Sequence, residues 1–137
     1  MSPANPDLKI LEGAVFTSRL PVSLWSENML FHGAKDLWLR QMTGGFPASL
    51  RKNSNTHPVF LLSTISNIGF KFCPCSSKFN TGKYIVRGCV LDMTGRKTDK
   101  TSYILEKYSF NLSVNPQNRP DIRFWGKVPE QCLKKNQ

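Results

Sequence analysis

Residues 57–78 read HPVFLLSTISNIGFKFCPCSSK, and the way this stretch folds decides the class of the molecule. Its first part, VFLLSTI (59–65), is an uninterrupted apolar run bounded by Pro58 and by SNIG. A run that short, with turn residues at both ends, predicts a central strand buried on both faces. Its second part, GFKFCPCSS (69–77), alternates Phe70, Phe72 and Pro74 with Lys71, Cys73 and Cys75, the period of a second strand. Proline has no N–H for a ladder, so Pro74 is expected at an edge, a bulge or a strand end. The stretch closes on a cluster of small hydroxyls and a lysine, SSK (76–78).

Further strands follow downstream. KYIVRGCVL (83–91) predicts a third strand with Gly88 at a bulge or close approach, and DMTGRKTDK (92–100) a charged turn. SYILEKYSFNL (102–112) is the longest strand candidate, VNPQNRPD (114–121) a loop and IRFWGKV (122–128) a short strand. PEQCLKK (129–135) predicts a terminal helix with proline in its first turn. Upstream, residues 1–9 look like a disordered lead and ILEGAVF (10–16) like an opening strand. Residues 17–56 form a long connection. In it SENMLFHGAKDLWLRQM (26–42) carries Leu30, Ala34, Leu37, Trp38 and Met42 near helical spacing behind Ser26 as N-cap. Gly33 weakens that helix by about 1 kcal/mol, and His32 within it reads as a surface or packing histidine. The order predicts one domain over 1–137, mainly β. It is a small antiparallel barrel with a helical insertion after the first strand and a short C-terminal helix.

The charge is unevenly placed. Of the net +10, residues 1–50 contribute nothing, with four basic groups against four acids. Residues 51–137 hold fifteen basic groups against five acidic ones, which points to a polyanion, because Lys and Arg gain phosphate contacts and release counterions. A merely basic protein, or one that neutralises an acidic protein, is the alternative. No apolar run is long enough to span a membrane, and MSPANPDLKILEG has no basic segment leading into an apolar one, so no membrane partner and a cytoplasmic location are expected. Cys73, Cys75, Cys89 and Cys132 read as small buried side chains. They do not look like a disulfide framework or a zinc site, since Cys-Pro-Cys is tighter than usual ligand spacing and no second pair exists. No cofactor is expected.

The order of pieces resembles the MazF/PemK family of toxin endoribonucleases. The resemblance is carried by EGAVF (12–16), HPVFLLS (57–63), CPCSSK (73–78) with KYIV (83–86), and SYILEKYSF (102–110) followed by WGKVPEQCLKK (125–135). It implies an SH3-like barrel, a homodimer, an antitoxin protein as partner and metal-independent cleavage of single-stranded RNA. Two positions depart from the family pattern. His57 stands where members carry arginine, and Glu106-Lys107 stands where an acid followed by glutamine is usual.

Cleaving RNA this way needs a base for the 2′-hydroxyl, an acid for the leaving 5′-oxygen and a group that offsets the phosphate charge. The resemblance assigns the phosphate contact to Ser76 and makes His57 the acid, the base or the cation. For His57 the plain alternative is a cap on a buried strand, and for Ser76 and Ser77 a strand-end turn. Glu106, counted by twos along 102–112, shares a face with Ile104, Tyr108 and Phe110, so it is either a general base, a carboxylate orienting His57 or Arg87, a buried ion pair, or turned outward by a bulge. Lys71, Ser77, Lys78, Lys83, Arg87 and Lys107 are the candidate RNA contacts, with solvated charge as the alternative reading. Phe79, Tyr84, Tyr108 and Trp125 lie among lysines and arginines, a composition suited to stacking unpaired bases, although a small barrel also needs such rings in its core. Two other functions remain on the same barrel: a non-catalytic module that binds nucleic acid or protein, and a toxin that acts on a protein target.

Overall fold

The computed structural model describes residues 19–47, 55–114 and 120–136; the opening strand expected over 10–16 lies outside them. Eight strands form one antiparallel, curled sheet: β1 (Met29–Lys35), β2 (Thr56–Thr64), β3 (Gly69–Ser76), β4 (Gly82–Ile85), β5 (Ser102–Ile104), β6 (Phe110–Ser113), β7 (Arg123–Lys127) and β8 (Leu133–Asn136). Among the described residues a single α-helix, α1 (Asp36–Thr43), follows β1. The mainly β, half-barrel architecture with one helix is the class the strand pattern predicts.

The strand order β7-β1-β2-β3-β5-β4-β8 puts β7 and β8 at opposite ends, yet only residues 128–132 join them. So short a link forces the sheet to curl until its two ends approach. The hairpin over 89–98 closes the gap. Its Asp92 bridges Lys127, and Leu91 packs so tightly on Gly126 that a Cβ there would lie 2.5 Å from the leucine side chain.

The central strands β2 and β3 pair in the register Phe60↔Cys73 and Leu61↔Phe72, and both carry side chains into two separate cores. One core holds Trp25, Phe31, Leu39, Val59, Leu61, Phe70, Phe72, Phe110 and Phe124. The other holds Leu30, Phe60, Cys73, Cys75, Ile85, Leu91 and Ile104. An apolar run with no polar alternation is what burial on both faces requires. Pro74 sits in a buried strand, not at an edge. Its carbonyl accepts from the N–H of Leu105, so the N–H it lacks belongs to the same flank. On that flank β3 changes partner, from β6 over Gly69–Phe72 to β5 over Cys75–Ser76. The proline falls in the gap.

Four expectations are corrected. The helix expected over 26–42 exists only as α1, and Met29–Lys35 is a strand. Gly33 at φ +90° is incompatible with a helix and marks the irregularity in the β1 ladder. The long strand over 102–112 is broken at a 3-10 turn, Glu106–Tyr108, which separates β5 from β6. Of the strand over 83–91 only Lys83–Ile85 is kept, within β4, because Gly88 at φ +79° turns the chain. The C-terminal helix reduces to a 3-10 turn, Glu130–Cys132, after which β8 pairs with β4. The reading of the cysteines is half corrected. Cys73 and Cys75 are buried free thiols, while Cys89 and Cys132 form a disulfide.

Candidate functional site

The β1–β2 register builds the site. Ala34 lies opposite His57 and Lys35 opposite Thr56, and α1 starts at the next residue, Asp36. The backbone N–H of Asp36 donates to the carbonyl of Asn55 (3.0 Å), which pins the helix start to the entry of β2. The Asp36 side chain is thereby brought to His57, with Nδ1 to Oδ1 at 2.6 Å. Asp36 is 3% exposed and the His57 side chain 30%, so the carboxylate is inside and the imidazole reaches the surface. A carboxylate oxygen only accepts, so Nδ1–H donates and Nε2 is left for another partner. The second oxygen, Oδ2, is buried without a hydrogen bond among the described residues.

Around the imidazole lies a cleft of about 390 Å³ whose lining includes Asp36, Phe46, His57, Ser76, Lys78 and Lys107. Phe46 sets its ring edge-on to His57 (centroids 5.1 Å) and to Tyr108 (5.7 Å), which restricts the tilt of the imidazole. Ser76, the last residue of β3, accepts the backbone N–H of Lys78 at its Oγ (3.1 Å). Its own O–H remains a donor. Lys107 places Nζ 5.2 Å from the centre of the Tyr108 ring. The cleft therefore combines an imidazole oriented by a carboxylate, a hydroxyl donor and two ammonium groups, the groups general acid–base work on an anion requires.

Of the residues expected from sequence, His57, Ser76, Lys78 and Lys107 meet in this cleft. Ser77 and Arg87 line a separate depression with Lys100 and Tyr103. Lys71 is an exposed residue of β3, opposite Asn111, and Lys83 an exposed residue of β4, opposite Lys135; neither lines the cleft. Glu106 is corrected. It is exposed, on the 3-10 turn, not on the apolar face of a continuous strand, so it is not a buried carboxylate. The role of orienting His57 falls to Asp36, which sequence reasoning had counted only among the acids of the first half. Its signal was its position at a helix start, and that became visible only once the helix was shortened.

The second histidine has the opposite surroundings. His32 on β1 meets the Trp125 ring at 4.5 Å, and burial first, then the nearby Arg123 and Arg96, push its pKa below 6.5. Among the described residues no group of three or more His, Cys, Asp or Glu side chains is arranged to hold a metal ion, and no helix is long and apolar enough to cross a membrane. No family model matches the chain, and neither does a curated protein or a solved structure.

Proposed function

We propose that the chain is a MazF/PemK-like endoribonuclease that cleaves single-stranded RNA without a metal. The observation that carries this reading is the His57–Asp36 pair opening into a cleft beside Ser76 and two lysines. In the proposed reaction Nε2 of His57 takes the proton of a ribose 2′-hydroxyl, and the 2′-oxygen attacks the adjacent phosphorus. The bond to the 5′-oxygen breaks, leaving a 2′,3′-cyclic phosphate and a free 5′-hydroxyl. Ser76 donates to the phosphate, and Lys78 and Lys107 offset its charge, one of them protonating the leaving oxygen. Asp36 holds the imidazole in the tautomer with Nε2 free to accept the proton. The basic excess of residues 51–137 supports the same polyanion.

The test is incubation of the purified protein with a long single-stranded RNA, with and without EDTA. Cleavage is expected in both. His57→Ala should lower the rate about 100- to 10,000-fold while affinity changes little, and Asp36→Asn should act in the same direction. Binding without cleavage would replace the enzyme with a nucleic-acid-binding module. Growth arrest with intact RNA would point to a toxin of a protein target.

A further inference from the structure

Phe79 is 70% exposed, a large ring left in water just after the SSK turn. It is not isolated. Its ring lies 5.5 Å from that of Tyr103, which lies 5.6 Å from that of Tyr84. Tyr84 and Tyr103 are held there by the β4–β5 ladder, in which they are direct partners. The row of three rings leads away from the cleft. Phe79 lines it together with His57 and Ser76, while Tyr103 lines the neighbouring depression with Ser77, Arg87 and Lys100. Lys78 is the chain neighbour of Phe79, and Arg87 and Lys100 line the depression beside Tyr103, the middle ring. None of these three cations forms a salt bridge among the described residues, although Asp99 shares the depression. An exposed ring backed by two half-buried ones, with cations nearby, supplies the elements of a single-strand platform, where bases stack and the backbone follows the charge.

We propose that Phe79, backed by Tyr103, is a base-stacking subsite for single-stranded RNA. The nucleobase next to the phosphate held at His57 and Ser76 lies on the Phe79 ring, and the following phosphate reaches Arg87 and Lys100. The proposal rests on the reading of the cleft as an RNA site and adds what that reading lacks, a place for a base and a direction for the strand. Stacking reads no base edge, so the subsite accepts any of the four bases.

The test uses two uncleavable 2′-O-methyl hexanucleotides with the same backbone, one bearing uracil throughout and one abasic, and measures their affinities by fluorescence anisotropy. The wild type is expected to prefer the base-bearing strand by on the order of 10- to 100-fold. Phe79→Ala should lose most of that preference while keeping the wild-type affinity for the abasic strand, and Phe79→Trp should retain it. Because the ring is exposed, the alanine variant is expected to fold, which circular dichroism checks. If Phe79→Ala keeps the full preference, or the wild type binds both strands alike, the subsite is overturned while RNA binding stands. If the wild type binds neither strand, the subsite falls together with the RNA reading.

Discussion

On one face of the central sheet the core is built of rings. Trp25 meets Phe31 at 4.8 Å and Phe70 at 5.2 Å, and Phe72 meets Phe31 at 5.7 Å and Phe110 at 6.2 Å. On the other face the packing is mostly aliphatic around one buried ring, Phe60, with two buried thiols and a disulfide between the 89–98 hairpin and the link to β8. Each face also carries one histidine. His57 on the ring side is held by the carboxylate of Asp36, while His32 on the aliphatic side sits by Trp125 near two guanidiniums. The same side chain is thus hydrogen-bonded to a buried carboxylate in one place and set against a ring and cations that lower its pKa in the other. Neighbours, not residue type, decide which histidine is a candidate for chemistry.

The difference between the faces is most exposed to test at Phe72, which is fully buried among Trp25, Phe31, Phe70 and Phe110. Phe72→Ala should cost about 3–5 kcal/mol in chemical denaturation, the range for truncating a buried phenylalanine. A cost under 1 kcal/mol would mean that the rings are not what holds that face.

The covalent face is sharpened by opening its cross-link. Cys89 and Cys132 are 43 residues apart, and a closed loop of that order restricts the unfolded chain enough to contribute about 2–4 kcal/mol. The double variant Cys89→Ser/Cys132→Ser should lose that amount relative to the oxidised protein and show no further loss with reductant. In the folded protein Cys73 and Cys75 should resist alkylation at pH 8. Burial raises both thiols, Cys75 to about 12, so little thiolate forms. Rapid labelling of either would show that this face opens.

Why some of this was legible from the chain and some was not has a physical answer. The run 59–65 needed no context, because a strand buried on both faces shows as unbroken apolarity. The assignment of His57 and Ser76 to one site, which the family resemblance implied, fits the β2–β3 register, in which Val59 faces Pro74 across a short turn. The helix over 26–42 failed because Leu30, Ala34 and Leu37 match helical spacing by accident. Leu37 is 58% exposed, whereas Leu30 and Phe31 point to different cores. Asp36 stayed hidden because its burial depends on the β1–β2 register, a long-range fact. Glu106 was misplaced by running one strand through Leu105, where the chain turns a corner. The disulfide depends on β8 reaching β4, which local propensity does not encode.

The smallest effect concerns His32. Its folded pKa lies below the unfolded value of 6.5, so below that pH the unfolded chain binds more protons. Stability is then full above about pH 6.5 and falls as pH drops toward the folded value. Melting temperatures between pH 7.5 and 5 should decline for the wild type and decline less for His32→Gln. Identical profiles would place His32 in surroundings as free as those of the unfolded chain.

The bond between Cys89 and Cys132 also changes what a broken backbone means. It makes residues 89–132 a covalent ring that contains β5, β6, β7 and the hairpin resting on Gly126. A protease that cuts after exposed Lys97 or Lys100 opens the ring without releasing a piece, and β7 stays attached to β1. A cut after exposed Lys78 lies outside the ring, and only the ladders then hold His57 and Phe79 in one particle. The two walls of the cleft differ in this respect. The wall bearing His57 and Ser76 depends on an unbroken chain to remain tied to the rest, whereas the wall bearing Lys107 and Tyr108 lies inside the ring and tolerates a nick.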